Sequence, residues 1–178
     1  MKRIRGLAAV FLAVMPIASA AGGGALSAYT NHDYETCKLV SSEAASQTHR
    51  CRGLAGIVIN YHNDDDNSVI DFGTQGLVGE TSYGDGFVFA GKTIEWRGVR
   101  EKAGLAPYAA IVRFDIGRSV SGPFRPRLII FRLEGRSRSC LAASIDGRKP
   151  SANERARRLA DSFVATFDCA KDEMRLID

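Results

Sequence analysis

Four cysteines, Cys37, Cys51, Cys140 and Cys169, follow an N-terminal segment built for export. Whatever this chain folds into must therefore accommodate crosslinks made in an oxidising compartment. Lys2, Arg3 and Arg5 precede an apolar run over residues 6–17, and Ala18-Ser19-Ala20 supplies the small residues of a cleavage site. The apolar run is twelve residues long, against roughly 20 for a spanning helix. It reads as a signal peptide over 1–20, cut near Ala20, and not as an anchor. No cysteine stands at the cut, which argues against a lipid-anchored form. The expected location is the periplasm or the extracellular space, with no transmembrane segment after cleavage. An even cysteine count there predicts two disulfides. Three pairings are possible, and nearness in sequence favours Cys37–Cys51 and Cys140–Cys169. The spacings contain no C-x-x-C, so neither a zinc site nor a redox-active pair is expected.

Cleavage also changes the electrostatics. The whole chain has 24 Lys and Arg against 20 Asp and Glu, net +4. Without Lys2, Arg3 and Arg5 it has 21 against 20, which excludes the strong basic excess of a general nucleic-acid binder. The remaining charge is segregated: net −6 over residues 21–90, +10 over 91–158 and −3 over 159–178. Two readings follow. The halves pair within one fold, or a basic face attracts an acidic protein, a polyanionic glycan or a phospholipid headgroup.

After a Gly- and Ala-rich stretch at 21–33, expected to be a flexible tail, residues 34–178 read as one globular disulfide-bonded domain. Residues 57–62 alternate, a polar run Asn63-Asp64-Asp65-Asp66-Asn67 interrupts them, and residues 69–72 resume, the pattern of a hairpin. Turns at Gly84-Asp85-Gly86 and Gly91-Lys92 separate further strands at 87–90 and 93–97. Later strands fall at 108–116, 128–133 and 138–145. Ser151-Ala152-Asn153-Glu154 has the form of a capping box, and Ala156, Leu159, Ala160, Phe163, Val164 and Phe167 make one apolar stripe, predicting a helix closed by Cys169. Glu154–Arg158 and Arg157–Asp161 are spaced to pair along it. The expected class is α+β: an antiparallel sheet of about 6–8 short strands with one C-terminal amphipathic helix packed on a face.

Catalytic signatures are sparse. No G-x-S-x-G elbow occurs, and of His32, His49 and His62 only His62, beside Asp64–Asp66, suggests acid–base work; a solvated turn explains it equally. Counting from Asn63, the sixth and twelfth positions of an EF-hand loop fall on Ser68 and Thr74 where Gly and Glu are needed, so that pattern fails. The glycines from Gly73 to Gly91 lack the Lys-Ser/Thr ending of a phosphate-binding loop and read as turn residues. No catalytic residue, metal site or cofactor is assigned. Trp96, Arg97, Arg113 and Arg132 lie on three predicted strands. If they share the face away from the helix, they form a patch able to grip a carboxylate or phosphate; ion pairs with Glu95, Asp115 and Glu134 are the competing reading. Arg136, Arg138, Arg148 and Lys149 form a basic strip at loop positions.

Several blocks resemble a group of small exported proteobacterial proteins of unknown function. They are Cys37-Lys38-Leu39-Val40, residues 51–56, Ile94-Glu95-Trp96-Arg97, residues 107–113, and the closing segments from Ser139-Cys140 through residues 151–156 to Phe167-Asp168-Cys169. The resemblance implies export and compactness and carries no activity. The expected function is a non-catalytic periplasmic binding or interaction module for an envelope protein or an anionic ligand, with contact residues Trp96, Arg97, Arg113 and Arg132. The alternatives are an envelope hydrolase acting through a carboxylate or His62, a hydrolase inhibitor, and a structural envelope factor.

Overall fold

The computed structural model describes residues 24–79, 83 and 86–178. The export signature and the turn at Gly84-Asp85 lie outside them. Within them the chain forms β1 (Leu26–Asn31), β2 (Lys38–Glu43), β3 (Ser46–Arg52), β4 (Val58–Asn63), β5 (Ser68–Phe72), β6 (Gly76–Leu77), β7 (Phe87–Glu101), β8 (Gly104–Gly117), β9 (Phe124–Glu134), β10 (Arg138–Asp146), α1 (Ala152–Ser162) and β11 (Arg175–Ile177).

The class is α+β, but the sheet is larger than expected and mixed. Eleven strands join it, with parallel pairings of β5 to β7, β6 to β10 and β10 to β11. Strands β1, β2, β3, β6 and β11 lie outside the stretches read as strands, and one expected turn is absent. Leu26–Asn31, read as tail, pairs antiparallel with β7 over Leu26↔Gly98 to Asn31↔Thr93. Gly91-Lys92 is no turn: β7 runs through it with a register shift between Ala90 and Ile94. A Cβ at Gly91 would lie 2.8 Å from the Arg113 carbonyl oxygen. The glycine therefore serves close strand approach at an irregularity.

β7 to β10 form an antiparallel meander. Residues 68–77 touch both of its outer strands. β5 meets β7 at Ser68↔Phe89, and β6 meets β10 at Arg138↔Gly76 and Ser139↔Leu77. Main-chain bonds from Gln75 N to Ser137 O (2.7 Å) and Val78 N to Ser139 O (2.9 Å) fasten that second seam. The meander is thus closed into a barrel. Its interior holds Ile59, Tyr61, Ile70, Phe72, Ile94, Trp96, Phe114, Ile129 and Phe131, all fully buried. The Phe72 ring meets Trp96 and Phe131 edge-on, at 5.4 and 5.0 Å between centroids.

A second core lies outside the barrel. Ala109, Ile111, Leu128, Ile130, Cys140 and Ala142 face Ala152, Ala156, Ala160, Val164 and Phe167 of the helical segment. Alanine on the inner line of α1 permits close approach to the sheet. Strands β8, β9 and β10 are covered on both faces here, which explains their continuous apolar runs. The helix differs from its expected form at both ends. Ser151 sits at φ 55° with no side-chain cap bond, so the capping box does not form; the entry is made by a turn in which Ala152 N donates to Lys149 O. The helix stops at Ser162, and a 3-10 turn over Val164–Thr166 carries the chain to Cys169. Both disulfides are formed, Cys37–Cys51 and Cys140–Cys169. The second ties β10 to the segment beyond the helix. Among the described residues no helix is long and apolar enough to cross a membrane.

Burial sets the alkaline limit of this fold. Burial pushes the Tyr61 and Tyr108 phenols up from 10.0 to about 12, and the Asp161 carboxylate adds to the shift at Tyr108. The neutral phenols are the folded forms. Their contribution is therefore complete below pH 10 and is lost as pH rises from 10 toward 12. A spectrophotometric titration should show these two phenols ionising together with loss of near-ultraviolet dichroism. Normal ionisation near pH 10 in a still-folded protein would contradict the packing.

Candidate ligand cleft and neighbouring polar centres

The expected basic patch is divided by the fold. Trp96 points into the barrel, fully buried, with its Nε1–H donating to Thr30 Oγ1 at 2.8 Å. It does not reach the surface. Arg97, Arg113 and Arg132 do share a face: Arg97 and Arg132 both pair with Ala109, and Arg113 lies further along β8 on the Ala109–Ile111 side. That face is the one α1 covers, not the one away from it. Arg113 is exposed and reaches Gly147 O and Asn153 Oδ1 only at 3.5 and 3.4 Å. Arg132 is half-buried, and among the described residues its Nε has no hydrogen-bond partner.

Arg97 belongs to a buried network that fixes the helix. Its Nε and one terminal nitrogen donate to the two Asp161 oxygens at 2.9 and 2.5 Å, and its other terminal nitrogen donates to Ser27 Oγ at 2.6 Å. Tyr108 Oη donates to Asp161 at 2.7 Å. Beside it Arg157 Nε donates to Glu95 at 2.7 Å and its terminal nitrogen to Tyr29 Oη at 2.9 Å, while the Ser27 hydroxyl bonds Glu95. Asp161 and Arg157 thus pair across to β7 and not with each other along the helix. Donating to Asp161, set against burial, raises the Arg97 pKa further. Two cations and two carboxylates balance, and they join β1, β7, β8 and α1.

His62 is the centre of a second cluster. Its Nε2 lies 2.8 Å from Asp71 Oδ2 and its Nδ1 lies 3.1 Å from Thr48 Oγ1. A carboxylate only accepts, so in the neutral ring Nε2 carries the proton and Nδ1 accepts from the Thr48 hydroxyl. Asn60 donates to Asp71 Oδ1 at 2.7 Å and accepts from Arg50 Nε at 3.1 Å. The expected partners Asp64–Asp66 are elsewhere: Asp64 Oδ1 accepts from the amides of Asp66 and Asn67, closing the hairpin tip. Among the described residues no three His, Cys, Asp or Glu side chains are placed to hold a metal ion.

A concavity opens at one end of the barrel, where the β7–β8 and β9–β10 hairpins turn. A cleft of ≈ 660 Å³ is lined by residues 52–57, Thr30, Glu101, residues 103–107, Gly135 and Arg136. This lies within the size range of small-ligand sites, and a barrel mouth is a favoured place for them. The turn over Leu54–Gly56 forms one wall, with Ala55 held at φ 52° and Gly56 at φ 75°. A Cβ at Gly56 would lie 3.7 Å from the Arg136 guanidinium carbon, so the guanidinium rests on that turn. Arg52 and Arg136 are exposed and take part in no salt bridge among the described residues. Leu54, Ile57, Leu105 and Pro107 provide the apolar surface. Sequence reasoning placed Arg136 in a basic strip and passed over Arg52. The one available signal was the glycines at 53, 56, 104 and 135, which converge only once the hairpins are assembled.

No protein-family model, curated protein or solved structure matches the chain.

Proposed function

We propose that this chain is an exported, non-catalytic binding module whose barrel-end cleft takes an anionic ligand. The observation that carries the reading is the placement of Arg52 and Arg136 on a cleft of ≈ 660 Å³ with apolar walls, neither in an ion pair with a described carboxylate, Glu101 of the same lining included. Guanidinium groups are suited to carboxylate and phosphate. The two disulfides and the lack of a membrane-length apolar helix among the described residues are compatible with an extracytoplasmic protein. The contact surface expected at Trp96, Arg97, Arg113 and Arg132 moves to Arg52 and Arg136, because Trp96 and Arg97 are consumed by core and helix docking.

Anilinonaphthalene sulfonate, an anion with an apolar body, is a suitable probe. The oxidised protein should bind it in a salt-sensitive manner. The double change Arg52→Ala/Arg136→Ala should weaken binding by about tenfold or more, a loss of about 1.4 kcal/mol. Equal affinity in the double variant would refute the cleft reading. A second reading, hydrolysis through His62, draws support from the Thr48–His62–Asp71 chain. Turnover of an activated ester that is lost in His62→Ala would favour it.

A further inference from the structure

A smaller cavity of ≈ 140 Å³ adjoins the cleft. It is lined by Leu26, Ser27, Ala28, Arg100 and Leu105, and Leu105 is also part of the cleft wall. The two concavities therefore meet at one apolar side chain, with Arg52 and Arg136 on one side of it and Arg100 on the other. Arg100 is exposed, and like the other two it enters no salt bridge among the described residues. Cation, apolar join, cation is a one-dimensional pattern. Its complement is an elongated ligand carrying negative charge at both ends and an apolar group between.

We propose that this ligand is an extended acidic peptide segment, its carboxylates on Arg52, Arg136 and Arg100 and an apolar side chain on Leu105. The inference rests on the cleft being the binding site. Two further observations select a peptide over a polyanionic glycan. On either side of the Leu105 join the walls carry Leu54, Ile57 and Pro107 in the cleft and Leu26 in the smaller cavity, aliphatic groups against which sugar hydroxyls would lose water without gaining partners. The smaller cavity is floored by the first residues of β1, which among the described residues pairs with β7 alone. A strand with one side unpaired is a template for an extended main chain, while alternate side chains enter flanking pockets.

Fluorescence anisotropy with three labelled probes tests this on the oxidised protein: a Glu-Leu dipeptide, an octapeptide alternating Glu and Leu, and a heparin-derived octasaccharide. The octapeptide should bind at least about tenfold more tightly than the dipeptide, as expected when a second contact becomes intramolecular. Arg100→Ala should abolish that gain and leave the dipeptide unaffected. Arg52→Ala/Arg136→Ala should weaken both peptides. All three arginines are exposed, and an unchanged unfolding midpoint verifies each variant. Equal affinity for dipeptide and octapeptide, or no effect of Arg100→Ala, overturns the extended-peptide proposal while leaving the cleft intact. Tighter binding of the octasaccharide than the octapeptide overturns the choice of a peptide. Failure of every probe to bind overturns the proposal and the cleft reading together.

Discussion

Asp161→Ala is expected to destabilise the protein by about 3–5 kcal/mol, the range for breaking a buried ion pair from one side. The Arg97 side chain retains only 8% of its accessible surface. Removing the carboxylate strands that charge with Ser27 as its remaining partner, and it also deprives Tyr108 of its acceptor. The cost lies in the uncompensated cation, not in the worth of the pair, so Arg97→Met/Asp161→Leu should recover most of the loss. An exposed pair supplies the contrast. Lys171 and Asp168 are 79% and 41% exposed, and Lys171→Ala should change stability by less than about 1 kcal/mol. Urea unfolding gives the energies, and amide exchange over residues 152–162 shows whether α1 has come loose. A loss below about 1 kcal/mol for Asp161→Ala would mean that the outer alanine-lined core holds the helix without the network.

Gly73→Ala should be still more damaging, because it strikes the seam that closes the barrel. Gly73 has φ +98°, and a Cβ there would lie 2.4 Å from the Ser137 carbonyl carbon and oxygen and 2.5 Å from Arg138 N. These are backbone atoms of the β9–β10 connection, unable to rotate away. Gly104 separates the two components of the effect: it has φ +120°, yet nothing lies within 4 Å of its missing Cβ. Gly104→Ala should cost about 1–2 kcal/mol, the backbone strain alone. Gly73→Ala adds overpacking of about 1–3 kcal/mol and the loss of pairing at β6, and should leave little folded protein. Similar losses in the two variants would show that the β6–β10 seam yields easily.

Legibility in the sequence followed the range of the interactions. The β4–β5 hairpin could be read because its alternation and its polar tip are local. The disulfide pairing could be read because each partner was the nearer one. The helix could be read from its stripe, though its cap could not, since Ser151 is held in a left-handed conformation by the turn before it. The barrel closure was hidden: β6 is two residues long and exists only because β10 lies beside it. The arginine patch failed for a related reason. Alternation within each strand does not relate its faces to those of the next, so only the register puts Arg97, Arg113 and Arg132 on one face, and which face the helix covers depends on long-range packing. Arg52 and Arg100 stand at strand ends and Arg136 in the β9–β10 turn, where neither periodicity nor spacing marks them, and they meet only when two hairpins and a 3-10 turn converge.

The cleft is a by-product of that convergence, and its chemistry comes from charges the fold leaves unspent. Most buried charges here are matched: Glu95 by Arg157, Arg97 by Asp161 and Asp146 by Arg148. Hydrogen bonds from Arg148 hold the Asp146 carboxyl well below the usual carboxylate range. Against this, two arginines facing one concavity without a described partner stand out as surface available for recognition.

Amide chemical-shift mapping with the alternating Glu and Leu octapeptide tests the central claim most directly. Binding in the cleft predicts shifts confined to residues 52–57, 100–107 and 135–136, with a smaller response at residues 26–30, and their suppression in Arg52→Ala/Arg136→Ala. Saturable shifts centred instead on Thr48, His62 and Asp71, or on Arg113 and Asn153 beside the helix, would contradict the assignment of the barrel end as the binding site.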